Sequence, residues 1–258
     1  MHRSASRLTR VLACAAVIPV ILAAAGCSSD SDKGKGKGSD SGSKASASAS
    51  AKPNGKPSTV LEKAAFATLP EPCKTLQAKT VESLVPEAKD KNGTATKSND
   101  LATRASCSWN GLDEDGLKGS QYRWLSVSLV RYESHASLGS ANKRAEEQYN
   151  KQIEAAKATE GAKDVKAEQA GGVGDQATSV VLGVKKDVDF FNTTVVARTQ
   201  NVVVTVDYNG AAYEGAGAPD QAKLLQDAIT AAKEIVASVG SAGQQSKQPD
   251  QQASPSAQ

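Results

Sequence analysis

Four cysteines at positions 14, 27, 73 and 107, with histidines at only 2 and 135, bound the covalent and acid–base chemistry open to this 258-residue chain. Cys27 follows Ala24-Ala25-Gly26, which close an apolar stretch that begins at Val11 and is preceded by Arg3, Arg7 and Arg10 with no acid. A basic start, an apolar middle and small residues before a cut are the three parts of an export leader. The apolar stretch does not read as a membrane span. It falls short of the roughly 20 residues a bilayer needs, and Pro19 inside it would break a helical ladder.

Small residues at 24–26 let an extended chain enter a peptidase cleft, and the Cys27 thiol then offers a nucleophile for diacylglycerol transfer. The run resembles the bacterial lipobox, with Ala24 where leucine is commoner. Ala23-Ala24-Ala25 also suits the general signal peptidase, which leaves ordinary secretion as the competing reading. Cysteine arithmetic separates the two. Cys14 departs with the leader either way, so ordinary processing would strand Cys27 as an odd thiol in an oxidising compartment. The expectation is a leader over 1–26, a lipid on Cys27 that binds the membrane, and display on its extracellular face.

Cys73 and Cys107 then remain as a pair. They lack a CxxC spacing, and two distant thiols with one histidine make a poor metal site, which weakens the redox and metal alternatives. A disulfide between them would close a loop of about 35 residues, worth roughly 3–4 kcal/mol on the chain-entropy model.

Other chemistry-bearing patterns are thin. His135 is the only histidine beyond the leader, so any Ser-His-Asp or Cys-His set must use it; its place after a strand, in Tyr132-Glu133-Ser134-His135, reads as surface. Gly172-Val173-Gly174-Asp175-Gln176-Ala177 spells the dinucleotide fingerprint GxGxxA, yet polar Ala167-Glu168-Gln169 precedes it and β-rich Thr178-Ser179-Val180-Val181 follows. A true fingerprint follows an apolar strand and opens a helix. A glycine turn feeding a strand, with Asp175 as its side-chain cap, is the expectation. Asp113-Glu114-Asp115-Gly116 carries its glycine fourth, where a calcium loop needs it sixth, and reads as a hairpin turn. Trp109 and Trp124 could line a pocket, but at strand positions they read as core anchors.

The elements that would position these residues follow from periodicity. A short helix after Cys73 carries Val81, Leu84 and Val85 and stops before Pro86. A second spans about Leu138 to Ala158, and a third spans Pro219 to Val239 with Ala222, Leu225, Ile229, Ala232, Val236 and Val239 on its apolar face and Gly240 past its end. Strands are expected around Cys107, at Leu125, Val127 and Leu129, and over 178–182, 188–198 and 202–208. The predicted class is α+β: an antiparallel sheet of about five strands, helices on one face, one disulfide.

Composition divides the chain into a leader (1–26), a lipidated cysteine with a Ser/Gly/Lys/Ala linker (27–58), one folded domain (59–240) and a Gln/Ser/Pro tail (241–258). Six lysines against three aspartates in the linker make too weak a basic patch for headgroups; a solvated tether is the plainer reading. Of 31 basic and 28 acidic residues, three arginines leave with the leader, and the folded part is slightly acidic. Such a surface has no electrostatic reason to bind nucleic acid, and aromatics at 4% argue against a stacking platform for bases or sugars.

Pro72-Cys73, Cys107-Ser108-Trp109 and Gly172-Val173-Gly174-Asp175-Gln176-Ala177 together resemble a family of actinobacterial cell-surface lipoproteins, similar in outline to the external sensor domains of some mycobacterial receptor kinases. The likeness covers Thr68 to Val239. It implies a small mixed α/β domain, a stapled first helix, surface display and no established reaction. The expected function is non-catalytic binding or sensing of a small ligand, a wall component or a partner protein, with no cofactor and no metal. A surface hydrolase or transferase, and a structural accessory protein of the envelope, are the alternatives.

Overall fold

The alternation of Leu125, Val127 and Leu129 with Ser126 and Ser128 is strand β3 (Ser120–Arg131), with the three apolar residues fully buried. Its neighbours are β2 (Arg104–Glu114) on one side and β7 (Val202–Tyr213) on the other. The computed structural model describes residues 61–97, 100, 102–213 and 215–245, so the leader, Cys27, the linker and most of the tail lie outside the described residues.

Adding β1 (Thr94–Ala95), β4 (Ala162–Gln169), β5 (Gln176–Lys185) and β6 (Asp189–Thr199) gives an antiparallel sheet of seven strands among the described residues, ordered β1-β2-β3-β7-β6-β5-β4. The expected count of about five misses β1 and β4. β1 is two residues long, and β4 is a polar edge strand, exposed along nearly its whole length. Lysines, a register shift between Lys163 and Lys166, and a left-handed Asp164 at φ 52° suit an edge that must not pair further.

Among the described residues, three α-helices pack on this sheet. α1 (Ala78–Leu84) buries Val81 and Leu84. α2 (Ala141–Lys157) starts at Ser140, whose side chain accepts from Lys143 N at 3.3 Å, and buries Ala141, Ala145 and Tyr149 at four-residue steps. At the start of α3 (Gln221–Gln245) the Asp220 carboxylate accepts from Ala222 N and Lys223 N at 2.9 and 3.2 Å.

α3 does not stop at Gly240 but continues five residues into the segment expected to be tail. Its buried line is Leu224, Ala228, Ala231, Ala232, Ile235 and Val239, rotated from the expected face. Fully buried alanines let the backbone sit close to the sheet, which leaves Leu225, Ile229 and Val236 half-buried on the flanks.

The helices lie on both faces of the sheet, which corrects the expectation of one. Val195, Ala197, Val202, Val204 and Val206 join Leu125, Val127, Leu129, Trp109 and the α1 and α3 residues in the main core. Val196 and Val203, one step along the same strands, pack with Ala145 and Tyr149 of α2, while Val180, Leu182 and Val184 pack with Ile153 and Ala156. Since successive strand residues point to opposite faces, α2 covers the side away from α1 and α3. That cover is partial: α2 lies over β4 to β7, and the β2–β3 end of its face stays open.

Candidate functional site

The Cys73–Cys107 bridge is formed, with Cα atoms 5.2 Å apart, and joins the 3-10 turn Pro72–Lys74 to β2. Gly93 lies against it at φ +76°, where an added Cβ would come within 2.6 Å of Cys107 Sγ and the Trp109 ring. Trp109 is buried, and its Nε1 donates to Lys91 O at 3.3 Å. This corner is structural.

The GxGxxA segment is a turn leading into β5, as expected. A strand does precede it, the polar β4, but the strand that follows makes a β-hairpin and no helix opens there. Asp175 does not cap its own turn. Its carboxylate accepts from Gln200 N at 2.7 Å and pairs with Arg198 at 3.5 Å, while its N–H donates to Arg198 O. Gly174 at φ +60° sits where a Cβ would meet Arg198 O at 2.5 Å. The motif is a clasp between two hairpins.

Asp113, Glu114, Asp115 and Gly116 are exposed at the β2–β3 turn, where Asp115 pairs with Lys118. His135 is exposed and contacts Ser137 Oγ through Nδ1 at 3.0 Å. Among the described residues, no three of His, Cys, Asp or Glu converge at metal-binding distance. None of the described helices is long and apolar enough to cross a membrane.

The open part of the α2 face presents a different surface. Register places Asn110 of β2 and Asn209 of β7 directly on either side of Trp124 of β3. The next row along holds Ser108, Ser126, Asp207 and Thr194, and the row on the other side holds Leu112, Tyr122, Ala211 and Phe190. Trp124 is 41% exposed, against 1% for Trp109. The expectation that both tryptophans anchor the core holds for Trp109 and fails for Trp124. The reason is parity: Trp124 shares a face with Ser126 and Ser128, away from Leu125.

At the end of this face a cavity of about 420 Å³ opens between Leu112, Glu114, Ser120, Tyr122, Tyr213 and Lys89. Its wall exists because the chain after α1 crosses the β2 edge, with Lys89 N donating to Asn110 O and Gly111 so close to Pro86 O that a Cβ would lie 2.4 Å from it. Burial raises the Tyr122 pKa, and nearby Tyr213 raises it further. Burial also raises that of the Asp207 carboxyl, opposed by a 2.7 Å hydrogen bond from Thr194 Oγ1. A second cavity, about 340 Å³, lies between Glu146, Tyr149 and Asn150 of α2 and the Gln169–Ala177 segment that carries the clasp.

The arrangement is equipped to hold a ligand. It offers one indole face, several amides and hydroxyls, and a half-buried carboxyl, with no histidine or thiol among them.

The chain belongs to the family described as protein of unknown function DUF3558, which it matches over residues 22–207. No curated protein matches it. Among solved structures, the crystal structure of LpqN, involved in cell envelope biogenesis of Mycobacterium tuberculosis, is 16% identical over 55% of this chain and 82% of that one, with a TM-score of 0.27. That of Ara h 8.0201 is 12% identical over 67% and 93%, with a TM-score of 0.19. Likenesses this distant fix neither fold nor function.

Proposed function

We propose that this protein is a lipid-anchored module of the cell envelope that binds its ligand, without catalysis, on the open sheet face around Trp124. Cys27 carries the anchor and the following Ser/Gly/Lys/Ala residues the reach, roughly 30 Å in root-mean-square span for about thirty residues. Support for the address comes from the leader, its small residues before Cys27, and the pairing of the other two mature cysteines. The observation that carries the binding reading is the exposure of Trp124 in the middle of a sheet that buries its other tryptophan. Leaving so large an aromatic face in water forgoes burial worth about 1.5–3 kcal/mol, a cost that a ligand would offset.

The test is native mass spectrometry of the protein isolated from its own membranes. The expected species carries a diacylglyceryl mass on Cys27 and a non-covalent adduct that is absent from Trp124→Ala. A protein with a bare Cys27 contradicts the anchor. An unliganded protein, or an adduct retained by Trp124→Ala, contradicts the binding face.

A further inference from the structure

Resting on that reading of the open face, we infer that its ligand is an uncharged oligosaccharide, with Trp124 as the stacking platform and Asn110 and Asn209 as flanking amides. Trp124 is the second residue of a row that reads Asn110, Trp124, Asn209, Asn192 across four strands. The parallel row reads Ser108, Ser126, Asp207, Thr194. Strand spacing of about 4.8 Å therefore sets an amide on each side of the indole, with the Ser108 and Ser126 hydroxyls and the Thr194-bound Asp207 carboxyl one step away.

That pattern matches the surface of a sugar ring. A pyranose has faces of C–H groups with partial positive charge, which suit the negative face of an indole. Its rim carries neighbouring hydroxyls, each both donor and acceptor, and a primary amide answers such a pair with one carbonyl and one NH₂. Among the described residues, Asn110, Asn192, Ser108 and Ser126 have no side-chain hydrogen-bond partner within the protein, so their polar atoms are free for a ligand. Asn209 Oδ1 accepts from Thr193 N at 3.3 Å, which orients that amide and leaves its NH₂ to donate. Asp207 adds a carboxyl that is already held by Thr194.

Charge and polarity choose among occupants. No lysine or arginine stands in either row, so a phosphate polymer or acidic glycan has no counter-charge there. A protein partner would want an apolar centre with a polar rim. Here the centre is amide and hydroxyl around one indole, and the apolar residues Leu112, Tyr122 and Phe190 lie to one side. A neutral polyol is the ligand whose groups these rows satisfy.

The experiment titrates the chain from Ser28 onward, which keeps every described residue, with cellohexaose, maltohexaose, xylohexaose and mannohexaose, and with a galacturonic-acid hexamer as the charged control. Tryptophan emission and calorimetry are read together; buried Trp109 serves as the unresponsive background. At least one neutral hexasaccharide should bind saturably and shift the emission. Trp124→Ala should weaken that binding by roughly tenfold or more, as for an aromatic anchor. Trp124→Phe should retain part of it, which guards against a folding defect, and Asn110→Ala and Asn209→Ala should each weaken it severalfold.

Binding by none of the neutral hexasaccharides overturns the inference, as does tighter binding of the acidic one, or equal affinity in Trp124→Ala. If the native protein nevertheless carries a Trp124-dependent adduct, the binding face stands and only the ligand class falls. Loss of both removes both.

Discussion

The Tyr208 hydroxyl donates to the Leu84 carbonyl at 2.6 Å, tying a central strand of the sheet to the end of α1. Both residues are buried, so no water replaces either partner. Tyr208→Phe should cost about 1–2 kcal/mol, because it leaves a buried carbonyl without a donor; chemical denaturation measures it.

The same tyrosine predicts alkaline behaviour. Burial pushes its pKa from 10.0 up to about 12, with Arg123 opposing and Asp227 adding to the shift. The folded state holds its proton while the unfolded state loses it. The stability this contributes is fully present below pH 10 and is lost as pH rises towards 12, amounting to roughly 2–3 kcal/mol. Stability curves of the native protein and Tyr208→Phe should converge and then cross over that window, with tyrosinate absorbance reporting the titration.

Asp207 has the same sign at the other end of the scale. Its raised pKa means that the folded state binds the proton more tightly than the unfolded one, so stability falls as pH climbs through that raised value. Asp207→Asn keeps an acceptor for Thr194 and removes the desolvated charge. It should be more stable than the native protein at neutral pH, and the advantage should disappear in acid, below the ordinary carboxylate range. Denaturation midpoints at the two pH values decide it; an advantage that grows in acid would contradict the assignment.

Replacing both Cys73 and Cys107 by alanine opens a loop with a sequence separation of 34 and should cost about 3–4 kcal/mol. Reductant should then lower the melting temperature of the native protein but leave the double variant unchanged.

Gly174→Ala tests the clasp. Its left-handed φ and the Arg198 carbonyl 2.5 Å from an added Cβ should together cost about 1–3 kcal/mol or more, while ligand binding at Trp124 is unaffected. An alanine tolerated without loss would mean that the turn can shift away from β6.

Much of this fold was legible where one physical signal dominated. Leu125, Val127 and Leu129 alternate cleanly because one face of β3 meets the core, whereas α2 starts three residues after the expected Leu138, where the Ser140 oxygen caps it. Val195-Val196-Ala197 and Val202-Val203-Val204 are different. Their unbroken apolar runs announce burial on both faces, which the expectation of helices on a single face overlooks. β4 carries too little apolar surface to stand out from a loop, since an edge strand in water needs none. The open face was the hardest part to read. Trp124 has the parity of Ser126 and Ser128, so its exposure could be read from its position, but its partners Asn110 and Asn209 come from strands that only the register brings beside it.

The most direct measurement of the binding face is hydroxyl-radical footprinting of the protein on living cells and after purification, with Leu117 as the internal reference because it is wholly exposed. A face occupied in its native setting predicts that Trp124 oxidation, normalised to Leu117, falls severalfold on cells and recovers on purification. Equal oxidation of Trp124 in the two settings would contradict it.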